Sequence, residues 1–217
     1  MMITKNFMHA KSSSYDRRML PALLLHVSLA LPPASLSPDA MRVALAEISA
    51  IWSAHAVAVT SSADEGESDD TVVVRVVVEP RPAALGSDWS GALASIRFGE
   101  NGEPQPLIAL YLPDLIAMIA RSNGTAGGKE GTPVVLRERA IGQAVGRVLA
   151  HELGHYLLRS RSHARFGLMR SIQNAADLVD TAREPFGLSA PDIARLAEVT
   201  SAAAVGAAST DRMTGNR

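Results

Sequence analysis

The chain of 217 residues contains no cysteine. This absence excludes disulfide bonds, thiolate metal ligands and a cysteine nucleophile, and it leaves the redox compartment undecided. The net charge is only -1, so the composition indicates neither a nucleic-acid partner nor an anionic membrane surface. No apolar run reaches the roughly 18–20 residues of a membrane span. With 47% hydrophobic and 20% charged residues, the composition is typical of a globular protein with one good core.

The most informative stretch is His151-Glu152-Leu153-Gly154-His155, which reads H-E-x-x-H inside a long helical pattern. Histidines at this spacing share one helix face with Cβ atoms roughly 5–6 Å apart, so both imidazoles reach one metal ion. A catalytic zinc site takes three protein ligands and leaves one position for water. Glu152 would lie beside the metal and take a proton from that water. The pattern predicts hydrolysis of a polarised carbonyl; the alternative, a chance match on an amphipathic helix, is disfavoured by a third histidine nearby.

A third ligand is needed, and His163 is the leading candidate. It follows His155 by eight residues, beyond the expected helix end, where the chain can turn back under the metal. The alternative is a solvated loop histidine among arginines. Asp177, Asp180 and Glu184 are the reserves, because a carboxylate also serves as third ligand in zinc sites with two histidines.

Two interpretations compete for residues 19–31. The apolar run resembles the core of a secretory signal, with basic residues before it and small residues after it. It also fits a first strand, because apolar residues alternate with His26, Ser28 and Ala30. The strand is favoured, since an internal proline and a histidine weaken the signal. A cytoplasmic or a secreted location depends on this choice.

Other elements are predicted from capping and periodicity. Ser37 and Pro38 start a helix with an apolar stripe, and Thr132 and Pro133 start the central helix, which runs to about residue 159. Ser189 starts a last helix. The predicted stripes and strands are Met41, Leu45, Ile48 and Trp52 in the first helix; Ile193, Leu196 and Ala197 in the last; and strands at 57–59, 71–79, 95–98 and 107–112.

Two of these predictions concern packing. The β-branched run at 71–79 suggests a strand buried on both faces, as in the middle of a sheet that is covered by helices. Gly142 and Gly146 each cost roughly 1 kcal/mol relative to alanine inside a helix, so a close packing neighbour is expected.

His151-Glu152-x-x-His155, followed by His163 and Gly167-Leu168-Met169, resembles a compact zincin of the metzincin type. The resemblance implies that Met169 forms a hydrophobic floor beneath the metal; a plain core methionine is the alternative. It also implies that the strand containing Ile96 to Phe98 lines the cleft and pairs with an extended peptide. The sequence departs from the pattern H-E-x-x-H-x-x-G-x-x-H, since Leu158 occupies the glycine position and Arg161 the third histidine position.

We therefore expect one zincin-like α/β domain with a twisted mixed sheet, a backing helix and an active-site helix, followed by a small helical subdomain. The expected divisions are a flexible segment 1–18, an upper lobe 19–160, a subdomain 161–203 and a disordered tail 204–217. The expected activity is zinc-dependent hydrolysis of peptide or protein substrates, with Zn2+ on His151, His155 and His163 and Glu152 as general base. The alternatives are a non-catalytic zinc-stabilised binding protein and a zincin with a carboxylate ligand.

Overall fold

The structure is a computed structural model that describes residues 25–32, 35–61, 71–82, 91–125, 133–171 and 175–214. The predicted flexible segment 1–18 lies outside these residues. The elements in chain order are β1 (Leu25–Ala30), α1 (Pro38–Ser53), β2 (Val57–Ser61), β3 (Thr71–Val78), β4 (Ala94–Phe98), β5 (Pro104–Leu110), α2 (Leu112–Thr125), α3 (Val134–Leu157), α4 (Ala175–Val179), a 3-10 helix (Glu184–Phe186) and α5 (Ala190–Thr214).

The five strands form one mixed sheet in the order β2-β1-β3-β5-β4. Only β4 is antiparallel to its neighbour, and it forms one edge of the sheet. This arrangement confirms the predicted α/β fold with a mixed sheet. The first strand is also confirmed, because β1 pairs with both β2 and β3 and fully buries Val27 and Leu29.

Helices α1 and α3 pack against each other and both contact the sheet, so they cover the same face. The prediction that β3 is buried on both faces is therefore wrong. Val74 and Val76 are buried beneath the helices, whereas Val73 is 49% exposed and Arg75 is exposed. The valines on both faces of β3 favour a strand, but the burial of each face depends on what packs against it.

The close neighbour of the two glycines in α3 is helix α1. A Cβ on Gly146 would lie 2.8 Å from the carbonyl oxygen of Ala44, and one on Gly142 would overlap the carbonyl oxygen of Ala40. Small residues on both helices thus allow the backbones to touch. Trp52 adds a hydrogen bond from Nε1 to the carbonyl of Ala150 at 3.2 Å. This contact fixes the position of α3, the helix that carries the H-E-x-x-H pattern.

The predicted helix starts are mostly confirmed. Ser37 caps α1 by accepting a hydrogen bond from the amide of Ala40, and Ser189 caps α5 through the amide of Asp192. For α3, Thr132 lies outside the described residues, and Pro133 occupies the cap position without a side-chain hydrogen bond.

Two predicted apolar stripes are only partly right. In α1, Ile48 and Trp52 are buried, but Met41 and Leu45 are half-buried. In α5, Leu196 is buried, whereas Ile193 and Ala197 are exposed because few elements pack against this helix.

Helix α5 continues to Thr214, so most of the segment 204–217 that was predicted as a disordered tail is helical. The alanines at 202–204 and 207–208 favour this continuation, because alanine has the highest helix propensity. The predicted division between an upper lobe and a subdomain at residue 160 stays a prediction. Within the described part of the chain, no helix is long and apolar enough to cross a membrane.

Candidate metal centre

His151 and His155 face each other on the buried side of α3. Their ring centroids are 4.8 Å apart, and their Nε2 atoms are 3.1 Å apart. Both side chains are almost completely buried, at 7% and 5% exposure. The helical spacing alone predicts this proximity, because residues four apart are neighbours on one face.

His163 reaches the same point from the loop after α3. Its ring centroid is 5.2 Å from that of His151 and 5.0 Å from that of His155. One ring nitrogen from each of the three histidines lies within 4.8 Å of the others. The three predicted ligands are therefore brought together in an arrangement that can hold a metal ion.

The loop reaches this position through an unusual turn at the end of α3. The helix ends at Leu157, Leu158 keeps a helical φ of -83°, and Arg159 adopts a left-handed φ of 47°. The amide of Ser160 then donates to the carbonyl of His155 at 3.2 Å. The left-handed residue thus comes one position after the glycine of the metzincin pattern. This later turn is consistent with a third histidine that comes two residues late.

Backbone carbonyls fix the tautomers of the two helical histidines. Nδ1 of His151 lies 2.8 Å from the carbonyl oxygen of Leu168, and Nδ1 of His155 lies 2.6 Å from that of Ser160. A carbonyl only accepts hydrogen bonds, so each Nδ1 carries the proton and each neutral ring keeps a lone pair on Nε2. Two lone pairs then face each other across 3.1 Å, an unfavourable arrangement that a cation between them would relieve.

Burial keeps these imidazoles neutral. Burial, together with the neighbouring His155 and His163, lowers the pKa of His151 to about 4, against a raising effect of the Leu168 carbonyl. Burial also lowers the pKa values of His155 and His163. Metal ligation needs the neutral ring, so all three side chains are in the binding form near pH 7.

Glu152 lies between the histidines in sequence and is also buried, at 8% exposure. Burial raises the pKa of this carboxyl to about 7, against the lowering effect of a backbone hydrogen bond from Ile96. Ile96 belongs to β4, so this contact holds the edge of the sheet beside the carboxyl group. A carboxyl with such a pKa can both accept and release a proton at neutral pH.

Met169 packs beneath the helix at Gly154. It is 1% exposed, and its sulfur would overlap a Cβ at Gly154, which therefore has to be glycine for this contact to form. The turn that presents Met169 has Gly167 at a φ of 81°, and Met169 accepts a hydrogen bond from the amide of Ala164 at 2.8 Å. Leu168 in the same turn donates its amide to the carbonyl of Gly187 at 2.8 Å. Met169 is thus a core residue that packs against Gly154, and its predicted role as a floor beneath the metal stays a prediction.

The reserve ligands do not join the three histidines. The cluster found among the described residues contains no carboxylate. Asp177 forms an ion pair with Arg170 at 3.3 Å, and the side chain of Asp180 accepts a hydrogen bond from the amide of Ala182 at 2.9 Å. Glu184 is exposed in the 3-10 helix.

The sequence reasoning missed a buried ionic network one helical turn before His151. Arg147 is completely buried, and its Nε donates to Glu47 of α1 at 2.9 Å. Glu47 also accepts from Arg183 at 2.7 Å. The signal was an arginine inside a stretch of α3 that is otherwise apolar or part of the site, because a buried cation requires a partner.

The same arginine holds the chain that follows the loop carrying His163. Its two terminal nitrogens donate to the carbonyls of Asp177 at 3.0 Å and Ala182 at 2.8 Å. Its guanidinium lies 4.2 Å from the centroid of the Phe186 ring. Arg147 therefore connects α1 and α3 to the segment that contains Gly187, the acceptor for Leu168.

No family model matches this chain, and no curated protein sequence matches it significantly. Proposals about its function therefore depend on the residues of the site.

Proposed function

We propose that this protein is a zinc-dependent metallopeptidase of the zincin type, with His151, His155 and His163 as ligands and Glu152 as the general base. The observation that carries the proposal is the convergence of three neutral imidazoles, two of which have their tautomer fixed by backbone carbonyls, beside the buried residue Glu152, whose pKa is raised to about 7. A site that serves only stability has no use for such a carboxyl.

The donor set favours zinc. Three imidazole nitrogens with no thiolate and no carboxylate are the ligand set of several catalytic zinc sites, whereas structural zinc normally takes four protein ligands. A zinc ion held there would supply Lewis acidity, which polarises a carbonyl and makes water acidic near neutral pH.

Glu152 would move the proton during hydrolysis. It accepts a proton from the attacking water as the water oxygen bonds to the carbonyl carbon of the peptide. It then gives this proton to the amide nitrogen as the C–N bond breaks, which yields a carboxylic acid and an amine. A pKa of about 7 suits both transfers, because neither protonation state is strongly favoured at neutral pH.

The edge strand β4 would hold the substrate. Among the described strands it pairs with β5 alone, and Ile96 of this strand contacts Glu152. A peptide added to this edge in extended form would make main-chain hydrogen bonds and place its carbonyl groups beside the base.

The first test is zinc content by elemental analysis together with cleavage of a random peptide library, followed by mass spectrometry. We expect one zinc per chain in the wild type and in the Glu152→Gln variant, and cleavage by the wild type but not by that variant. The His163→Ala variant should lose zinc, and the His26→Ala variant should keep both zinc and cleavage. His26→Ala is the matched control, because this half-buried histidine of β1 lies outside the cluster.

Each outcome decides between the alternatives. Zinc without cleavage in the wild type would favour the non-catalytic zinc-binding protein. Zinc retained in the His163→Ala variant would move the third ligand to a carboxylate. A wild type without zinc after supplementation would refute the proposal.

A further inference from the structure

The segment that follows the H-E-x-x-H pattern is strongly basic. Between Glu152 and Asp177 the sequence contains four arginines and no acidic residue, although the whole chain has a net charge of -1. Two of these arginines are neutralised by carboxylates. Arg159 pairs with Glu103 and Arg170 pairs with Asp177, each at 3.3 Å.

The other two, Arg161 and Arg165, are exposed and pair with no carboxylate among the described residues. They lie two residues before and two residues after His163. Because the ring of His163 belongs to the candidate metal centre, both arginines lie within two residues of this centre along the chain.

Aromatic rings support both guanidinium groups. Arg161 lies 4.6 Å from the ring centroid of Phe98, which ends the edge strand β4. Arg165 lies 5.5 Å from the ring centroid of Phe166, which is 69% exposed. A guanidinium over a ring face keeps its N–H donors directed outward in its own plane, where they match a carboxylate.

We propose that the site selects acidic peptides, with carboxylate side chains of the substrate near the scissile bond bound by Arg161 and Arg165. Arg161 bridges the metal-binding loop and β4, so it lies beside the path of a peptide paired with that strand. This inference rests on the proposed peptidase function, which supplies the substrate path.

The test separates binding from cleavage. Zinc-loaded protein with the Glu152→Gln substitution is titrated into two fluorescent pools of random peptides, which differ only in Glu or Gln at fixed positions, and anisotropy is measured at low and high salt. Two exposed ion pairs predict about tenfold tighter binding of the Glu pool at low salt, and this preference should decrease at high salt.

Variants assign the effect to the two arginines. In the same background, the double substitution Arg161→Gln with Arg165→Gln should abolish the preference, and the double substitution to lysine should keep part of it. Arg139→Gln is the control and should change nothing, because this exposed arginine of α3 lies twelve residues before His151, roughly 18 Å along the helix.

Equal binding of both pools, or a preference that survives the double glutamine substitution, would overturn the inference. Competition by a single-stranded RNA as effective as that by the Glu pool would overturn the assignment to peptides. Preferred binding of the Glu pool without cleavage of either pool by the wild type would refute the peptidase, and with it the scissile bond, but would support the binding of acidic peptides by Arg161 and Arg165. Cleavage of both pools at equal rates would refute the inference alone.

Discussion

Substitution of Glu47 by glutamine should destabilise the protein strongly, because it leaves a buried cation without its counter-charge. Arg147 has no exposed surface, and the carboxylate of Glu47, itself 3% exposed, is its only acidic partner among the described residues. A guanidinium does not lose its proton in a protein, so the charge persists after the substitution. Breaking a buried ion pair by removing one partner typically costs about 3–5 kcal/mol.

The structure places the expected cost at the lower end of this range. The carbonyls of Asp177 and Ala182 still accept hydrogen bonds from Arg147, and the face of Phe186 still contacts its guanidinium. Arg183 loses the same carboxylate, but it is 56% exposed and contributes less than about 1 kcal/mol. We expect a loss of about 3 kcal/mol in the free energy of unfolding, or roughly 6–12 °C in the melting temperature of a chain of this size.

Urea unfolding of the metal-free proteins, followed by circular dichroism, measures this loss. Asp39→Asn is the matched control, because Asp39 and Arg42 form a pair of 3.2 Å whose side chains are 71% and 72% exposed. Its substitution should change the free energy of unfolding by no more than about 0.5 kcal/mol. A loss below about 1 kcal/mol in Glu47→Gln would refute the view that this pair is buried and essential to the fold.

Three further predictions concern the helix and the site. Gly146→Ala should lower the free energy of unfolding in urea by about 1–3 kcal/mol despite the better helix propensity of alanine, because the new Cβ would meet the backbone of α1. Gly91→Ala, with open space around it, should be nearly neutral, and equal effects of the two substitutions would contradict the close helix contact. Met169→Ala should lower the free energy of unfolding by about 2–5 kcal/mol, because it leaves a cavity in the core, and it should weaken zinc binding in a chelator competition. Met169→Leu conserves the volume and should cost less than about 1.5 kcal/mol. In the metal-free Glu152→Gln variant, the unfolded chain protonates His151 near pH 6.5, whereas the folded chain protonates it only near pH 4. The free energy of unfolding should therefore fall by about 3 kcal/mol as the pH falls from 6.5 to 4, and a flat pH profile would contradict the burial of this imidazole.

The sequence predicted the local geometry of the site better than its surroundings. His151 and His155 converge because helical periodicity fixes their relative position, whatever packs around them. For the open face of β3 the only signal was Arg75, since the valines around it follow the same pattern whether helices cover one face or two. Gly146 indicated a close neighbour, but pairing with Ala44 of α1 depends on tertiary contacts across about a hundred residues.

The tautomer of His151 depends on chain that lies well outside the H-E-x-x-H pattern. The Nδ1 of His151 donates its proton to the carbonyl of Leu168, and the amide of Leu168 donates in turn to the carbonyl of Gly187. Gly187 follows Phe186, whose ring lies under the guanidinium of Arg147. Docking of this segment on α3 therefore orients a ligand, and a metal ion that binds the oriented ligand must by linkage stabilise the docking. Substitutions far from the metal, such as Glu47→Gln, should therefore weaken zinc affinity, and zinc should then stabilise the variant less than it stabilises the wild type. Substitution of Asp39 in the exposed pair should change neither the affinity nor this stabilisation.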